Sequence, residues 1–198
     1  MSELMSVGIA LSIVASIVGL TMLIIRIYNQ LVAMRNRCRN AYAQIEVQLK
    51  RRHDLIPNLV EACKGFLRHE RGTLREVIQA RSEATKAVVN VSAGKLKDMV
   101  RVASAETALT AAVGKLLAVF EKYPDLKGNE NVLRIQSELT NTENAISQSR
   151  QSFNDYVTEF NTQMEVFPEM LFAKPMGFET AYLFEAGVGD REVPGVKF

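Results

Sequence analysis

An uncharged apolar run, Val7 to Ile25, constrains this chain more than any other feature. It is about nineteen residues long and, at a helical rise of about 1.5 Å per residue, covers roughly 28 Å, close to the ~30 Å hydrocarbon core of a bilayer. A helix apolar on every face needs neighbours all round or lipid, and the rest of the chain is too polar to supply the neighbours. A cleavable signal would need a basic leader, a shorter apolar stretch and a small-residue cleavage site. Instead Glu3 is the only side-chain charge ahead of the run, and Arg26, Tyr28 and Asn29 follow it. The run is expected to be a retained transmembrane helix.

Flanking charge sets its direction. No Lys or Arg precedes the run, while Arg26, Arg35, Arg37 and Arg39 lie within about 20 Å of its end. The positive-inside rule then places the N-terminus outside and the C-terminal domain in the cytoplasm. Cys38 and Cys63, on one helix, would stand about 37 Å apart, far beyond disulfide reach, and read as small core residues. About 170 residues remain after the span, enough for one domain. A net charge of +2 makes no case for nucleic acid. The basic cluster Lys50, Arg51, Arg52 would sit about 36 Å from the bilayer, several Debye lengths away, and reads as a solvated face with intramolecular pairs.

Beyond the run the period is helical throughout. From Ile24 a stripe spaced four and three apart passes through Tyr28, Leu31, Arg35, Cys38, Tyr42, Ile45, Leu49, Arg52, Ile56, Leu59 and Cys63 to Phe66. Pro57, with Asp54 placed to cap a restarted turn, is expected to kink or divide this helix. Gly72 and Thr73 read as a stop and a new cap, before a second helix with Leu74, Val77, Arg81, Ala84 and Val88 on one face. Asn90 to Gly94 reads as a loop. A third helix offers Met99, Val102, Glu106, Leu109, Val113, Leu116 and Phe120, and ends at Tyr123, Pro124 and Asp125. Asn129 is placed to cap a fourth, whose stripe runs Val132, Leu139, Glu143, Ile146, Arg150, Phe153, Val157, Phe160, Met164 and Phe167. The expected fold is all-α: a transmembrane helix continuing into an elongated antiparallel four-helix bundle, with an irregular tail. The expected divisions are an anchor over 1–27, a cytoplasmic bundle over 28–173 and a tail over 174–198.

Arg52, Arg81, Glu106, Glu143 and Arg150 occupy stripe positions where an apolar residue would pack better. They suit a buried ion-pair network that fixes register more than it adds stability. The alternative is that these long side chains reach out to the bundle edge. No nucleophile or histidine joins the set. His53 and His69 stand too far apart to share a metal, belong to no HExxH-like spacing, and read as surface or capping residues. No phosphate loop, GxSxG elbow or CxxC occurs. Neither catalytic residue nor cofactor or metal site is expected.

Within the span Gly8, Ser12 and Ser16 repeat every four residues, with Gly19 a further small residue on that side, the pattern that lets transmembrane helices approach closely. The tail is different again: Phe178, Tyr182, Phe184 and Phe198 stand on a segment broken by Pro175, Gly177 and Pro194. Such aromatics dock, either closing the end of the bundle or seated on a neighbouring subunit or partner.

The stretches YNQLVAMRNRCRNAYAQIEVQLKRRHDLIPNLVEACKGFLRHE, AVFEKYPDLKGNENVLRIQSELTNTENAISQSR and FNDYVTEFNTQMEVFPEMLFAK, with the closing VPGVKF, resemble the bacterial LemA family over essentially the whole chain. Tyr42 stands where that family commonly has tryptophan, and Glu46 where it often has aspartate. The resemblance implies a single-pass inner-membrane protein with a long-helix bundle and no established enzymatic activity. A member associated with magnetosome membranes, and relatives encoded near a membrane zinc metallopeptidase, suggest work on membrane organisation or envelope maintenance. The leading expectation is a membrane-anchored, non-enzymatic scaffold that self-assembles on the inner membrane as a homo-oligomer. The alternatives are an adaptor acting with a membrane protease or other envelope protein, and an enzyme, which no motif supports.

Overall fold

The computed structural model describes residues 2–67, 69–89 and 96–184, the side chains of residues 2, 3 and 96–98 excepted. Every regular element among them is helical: α1 (Ser2–Cys63), α2 (Arg71–Val89), α3 (Leu96–Phe120), α4 (Pro124–Lys127), α5 (Glu130–Glu165) and a 3-10 turn (Glu169–Leu171). The expected loop at Asn90 to Gly94 lies outside the described residues.

The apolar run and the stripe that follows it form one helix, and Pro57 does not divide it. Proline lacks an N–H, so the carbonyl four residues earlier, that of His53, loses its helical donor. Arg81 Nε donates to that carbonyl at 2.7 Å, which is why a cation on α2 points inward. Asp54 does not cap a restarted turn; it pairs with Lys50 at 3.1 Å. At its far end α1 stops short of the expected Phe66. Leu67 N–H bonds to the Cys63 carbonyl at 2.9 Å, and Leu67 is fully buried while Phe66 is 40% exposed. Once the chain leaves helical geometry, the four-three spacing no longer says which side chain faces in. Gly72 and Thr73, expected as a stop and a cap, lie inside α2 instead.

The chain divides into two compact units. One comprises Met1–Cys38 and Tyr156–Ala181. Its interior holds Ile27 and Leu31 of α1 with Val157 and Phe160 of α5, and Ala173 and Phe178 beyond. The inward stripe of α1 therefore begins at Ile27, not at Ile24, and Tyr28 is half-exposed. α5 ends at Glu165, so the last stripe residue, Phe167, stands outside the helix and 76% exposed. Pro168 accounts for this, since the residue before a proline is driven out of the helical region.

The other unit comprises Arg39–Asp155 and the tail from Tyr182. Leu59 and Cys63 of α1, Val77 and Ala84 of α2, Leu109 and Leu116 of α3, Leu126 of α4, and Val132 and Leu139 of α5 share one apolar core. All seven stripe residues of α3 are buried, Glu106 among them. Gly128 closes α4, and Asn129 Oδ1 accepts the Asn131 and Val132 N–H groups at 3.1 and 3.2 Å, capping α5 as expected.

Cys38 and Cys63 are free and buried. Burial pushes the Cys63 thiol up from 9.0 to about 11, and raises that of Cys38 as well. The folded state thus keeps Cys63 neutral where the unfolded chain ionises it. The stability this confers is complete below about pH 9 and fades as pH climbs toward about 11, a loss of about 2–3 kcal/mol. Denaturant titrations between about pH 8 and 11 are expected to show a shallower alkaline decline in Cys63→Ala than in the native chain. Parallel curves for the two proteins would refute the assignment.

Candidate functional site

Three features gather the residues singled out by sequence. The first is the apolar segment of α1, where every side chain from residue 4 to residue 23 is exposed. Its apolar surface runs all round the helix, which water does not tolerate over such a length and lipid does. α3 is also long and apolar enough to cross a bilayer, but its stripe is packed in a core. Gly8, Ser12 and Ser16 share one side of the segment and, with Met5, Ile9 and Ile13, line an open groove. Ser12 Oγ donates to the Gly8 carbonyl at 3.0 Å and Ser16 Oγ to that of Ser12 at 2.9 Å, so both hydroxyls are satisfied within the helix. Among the described residues a Cβ added at Gly8 or Gly19 would meet nothing within 4 Å, so no packing there requires glycine at either position.

The second feature is the polar set of the unit built on Arg39–Asp155. Arg52 and Glu106 are almost wholly buried. Arg52 Nη1 lies 2.9 Å from Glu143 Oε2 and 3.6 Å from Glu106 Oε2, while Nη2 donates to Thr110 Oγ1 at 2.8 Å. Glu106 Oε2 has no hydrogen bond among the described residues, and Oε1 lies 2.7 Å from His53 Nε2. His53 is 4% exposed, which corrects its reading as a surface or capping residue. Its Nδ1 lies 3.2 Å from Thr85 Oγ1, whose hydroxyl donates to the Arg81 carbonyl at 2.9 Å. Arg81 enters through the His53 carbonyl rather than through a carboxylate. Arg150 is held below its ordinary pKa by burial, against the pull of Glu143 and Glu106, and Arg52 lowers it further. The arrangement ties α1, α2, α3 and α5 by charge and hydrogen bonds. Neighbouring Lys50 and Arg51 pair outward, with Asp54 and with Glu138.

Among the described residues no three His, Cys, Asp or Glu side chains converge as metal ligands. His53, Thr85 and Thr110 escaped the sequence reading because each lies beside a stripe rather than on it. The available signal was Pro57, which marks the His53 carbonyl as needing a donor.

The third feature is the tail. In the unit containing the apolar segment of α1, Phe178 is buried, with its ring 5.8 Å from that of Tyr28 and 6.4 Å from that of Phe160. The Arg35 guanidinium covers it at 5.2 Å. Gly177, at φ +80°, makes the turn that delivers Phe178, a conformation that disfavours any side chain. Asn161 holds Ala181 twice, donating to its carbonyl at 2.8 Å and accepting its N–H at 2.9 Å. In the other unit Phe184 is buried under the Arg150 guanidinium, 4.7 Å away. Asn154 holds the Phe184 backbone in the same two-bonded manner, at 3.2 and 2.7 Å. Arg35 and Arg150 share a further trait: each has a buried Nε with no hydrogen-bond acceptor among the described residues, and its guanidinium lies against an aromatic ring. Tyr182 is half-exposed, and Phe198 lies outside the described residues. The two asparagines stand seven residues apart on α5, a spacing that the sequence displays but that points to no chemistry unless the tail is beside it.

The LemA family model matches residues 41–198. Among curated proteins, Protein LemA of Metamycoplasma hominis is 24% identical over 82% of this chain and 71% of its own length. Magnetosome protein MamQ of Magnetospirillum gryphiswaldense is 22% identical over 93% of this chain and 74% of its own. Magnetosome protein MamQ 2 of Paramagnetospirillum magneticum is 24% identical over 92% and 72%.

Proposed function

We propose, for a chain that belongs to the LemA family, the role of a non-enzymatic scaffold anchored in the bacterial inner membrane by the apolar segment of α1 and self-assembling there. The observation that carries this reading is the exposure of that segment on every side. The cations Arg26, Arg35, Arg37 and Arg39 on its C-terminal flank favour a cytoplasmic position for the helical domain. Self-assembly draws on the groove at Gly8, Ser12 and Ser16, where glycine serves no contact among the described residues. The magnetosome proteins among the relatives agree with work on the organisation of a membrane. An adaptor role has one specific support, the exposed Tyr182 and Leu183 beside the docked Phe184, a place for a partner to rest.

Single cysteines on the span, in a Cys38→Ala, Cys63→Ala background, test the assembly. Oxidative cross-linking in native membranes is expected to give dimers through Ser12→Cys and Ser16→Cys, and little product through Val14→Cys and Val18→Cys on the opposite side. Monomer at all four positions, or equal yield at all four, would overturn it.

A further inference from the structure

Just beyond α5, Val166, Phe167, Met170 and Leu171 are exposed at 40, 76, 52 and 56%. This elbow belongs to the same compact unit as the apolar segment of α1. It is a bonded turn: Met170 N–H donates to the Val166 carbonyl at 2.9 Å, Ala173 N–H to that of Glu169 at 2.9 Å, and Phe178 N–H to that of Ala173 at 3.1 Å. The last of these leads to α1, because the Phe178 ring rests against Tyr28.

Tyr28 follows Ile25 by about 4.5 Å of helical rise. Every side chain from residue 4 to residue 23 is exposed, Ile24 is half-buried and Ile27 is 2% exposed, so packing within the unit begins where the exposed run stops. The elbow is therefore tied, through Phe178, to the first packed turns of α1 beyond the exposed run. The headgroup zone there is about 5–8 Å thick on each side.

We infer that the elbow presses Val166, Phe167, Met170 and Leu171 into the headgroup and upper acyl region of the bilayer that α1 spans, a second membrane contact that does not cross. The inference rests on the reading of α1 as the span. Lipid is the occupant because the patch shares one compact unit with the exit of the span and because the carboxylate within the turn is held away from the exposed face. Glu169, the carboxylate inside the turn, is 9% exposed and accepts a hydrogen bond from Gln163 Nε2 at 2.7 Å, so it does not face the headgroups. Lys174 is exposed on the following turn, where anionic lipid attracts it, and the exposed carboxylates Glu165 and Glu179 flank the segment in sequence.

Full-length protein in vesicles of mixed phosphatidylethanolamine and phosphatidylglycerol tests this, with an environment-sensitive fluorophore on one introduced cysteine at a time. Leu171→Cys reports the elbow, Leu20→Cys the span, and Val47→Cys a side chain exposed in the other unit. The native thiols are buried and need no replacement. Lipids carrying a nitroxide near the headgroup are expected to remove most of the emission at Leu171 and little at Val47, while a nitroxide deep in the chains quenches Leu20. If Leu20 is quenched and Leu171 behaves as Val47 does, the elbow contact is wrong and the span stands. If Leu20 escapes quenching, the span reading fails and takes the elbow with it. Shielding of Leu171 from an aqueous quencher without quenching by lipid would show that protein covers the patch, and would overturn the inference.

Discussion

Glu106→Ala is expected to cost the helical unit about 3–5 kcal/mol, because it removes the one anion buried beside two buried basic side chains. Glu106 is 1% exposed, and Arg52 and His53 are each 4% exposed. Without the carboxylate, His53 Nε2 loses its partner at 2.7 Å and Arg52 keeps only Glu143 and Thr110. Glu143→Leu is a different case, since nearly half of the Glu143 side chain meets solvent. It is expected to leave the unit folded, at a cost of about 1 kcal/mol. Denaturant titration of the two variants in one lipid environment separates them. Equal losses would mean that burial of Glu106 is not what makes it indispensable. Loss of a cellular activity in Glu143→Leu at unchanged stability would count against a structural role for the whole set.

The contrast between Glu106 and His53 shows what the sequence makes legible. Every residue of the α3 stripe is buried, and Glu106 could be found by counting along it. The buried faces are wider than the stripes: α3 also buries Ala103 and Ala112, and α1 does the same. His53 and Val60, seven residues apart and each one place beyond the stripe, are buried beside Arg52 and Leu59. A two-position seam cannot reveal a face three positions wide, because the width depends on how many neighbours a helix has. The same limit explains Arg81. Its place in the stripe of α2 is plain, but its partner is a backbone carbonyl on another helix, released by Pro57. Periodicity fails for a further reason at the helix ends. Phe66 and Phe167 continue their stripes on paper after the helices have stopped, and both are exposed. The apolar segment of α1 needed no neighbours to be recognised, since its length and uniformity are local properties.

Phe178→Ala is expected to release the tail from the unit that contains the apolar segment of α1, with a loss of about 3–5 kcal/mol of docking energy. Phe178 is 4% exposed and fills the space between Tyr28, Phe160 and the Arg35 guanidinium, so truncation leaves a cavity and removes the ring that covers a partly buried cation. The remaining described side-chain clasp on the tail in this unit is Asn161 on the Ala181 backbone. Two neutral hydrogen bonds contribute about 1–3 kcal/mol together, less than the ring they would have to replace. Hydrogen exchange at the Ala181 amide is therefore expected to rise sharply in Phe178→Ala, with new protease cleavage between residues 174 and 181. Tyr182→Ala, at a half-exposed position, is expected to change stability by less than about 0.5 kcal/mol and to leave that amide protected. Asn161→Ala should fall between them, because it removes the clasp but keeps the ring seated. If Asn161→Ala frees the tail while Phe178→Ala does not, the backbone hydrogen bonds, and not the aromatic contact, hold this segment to the helices.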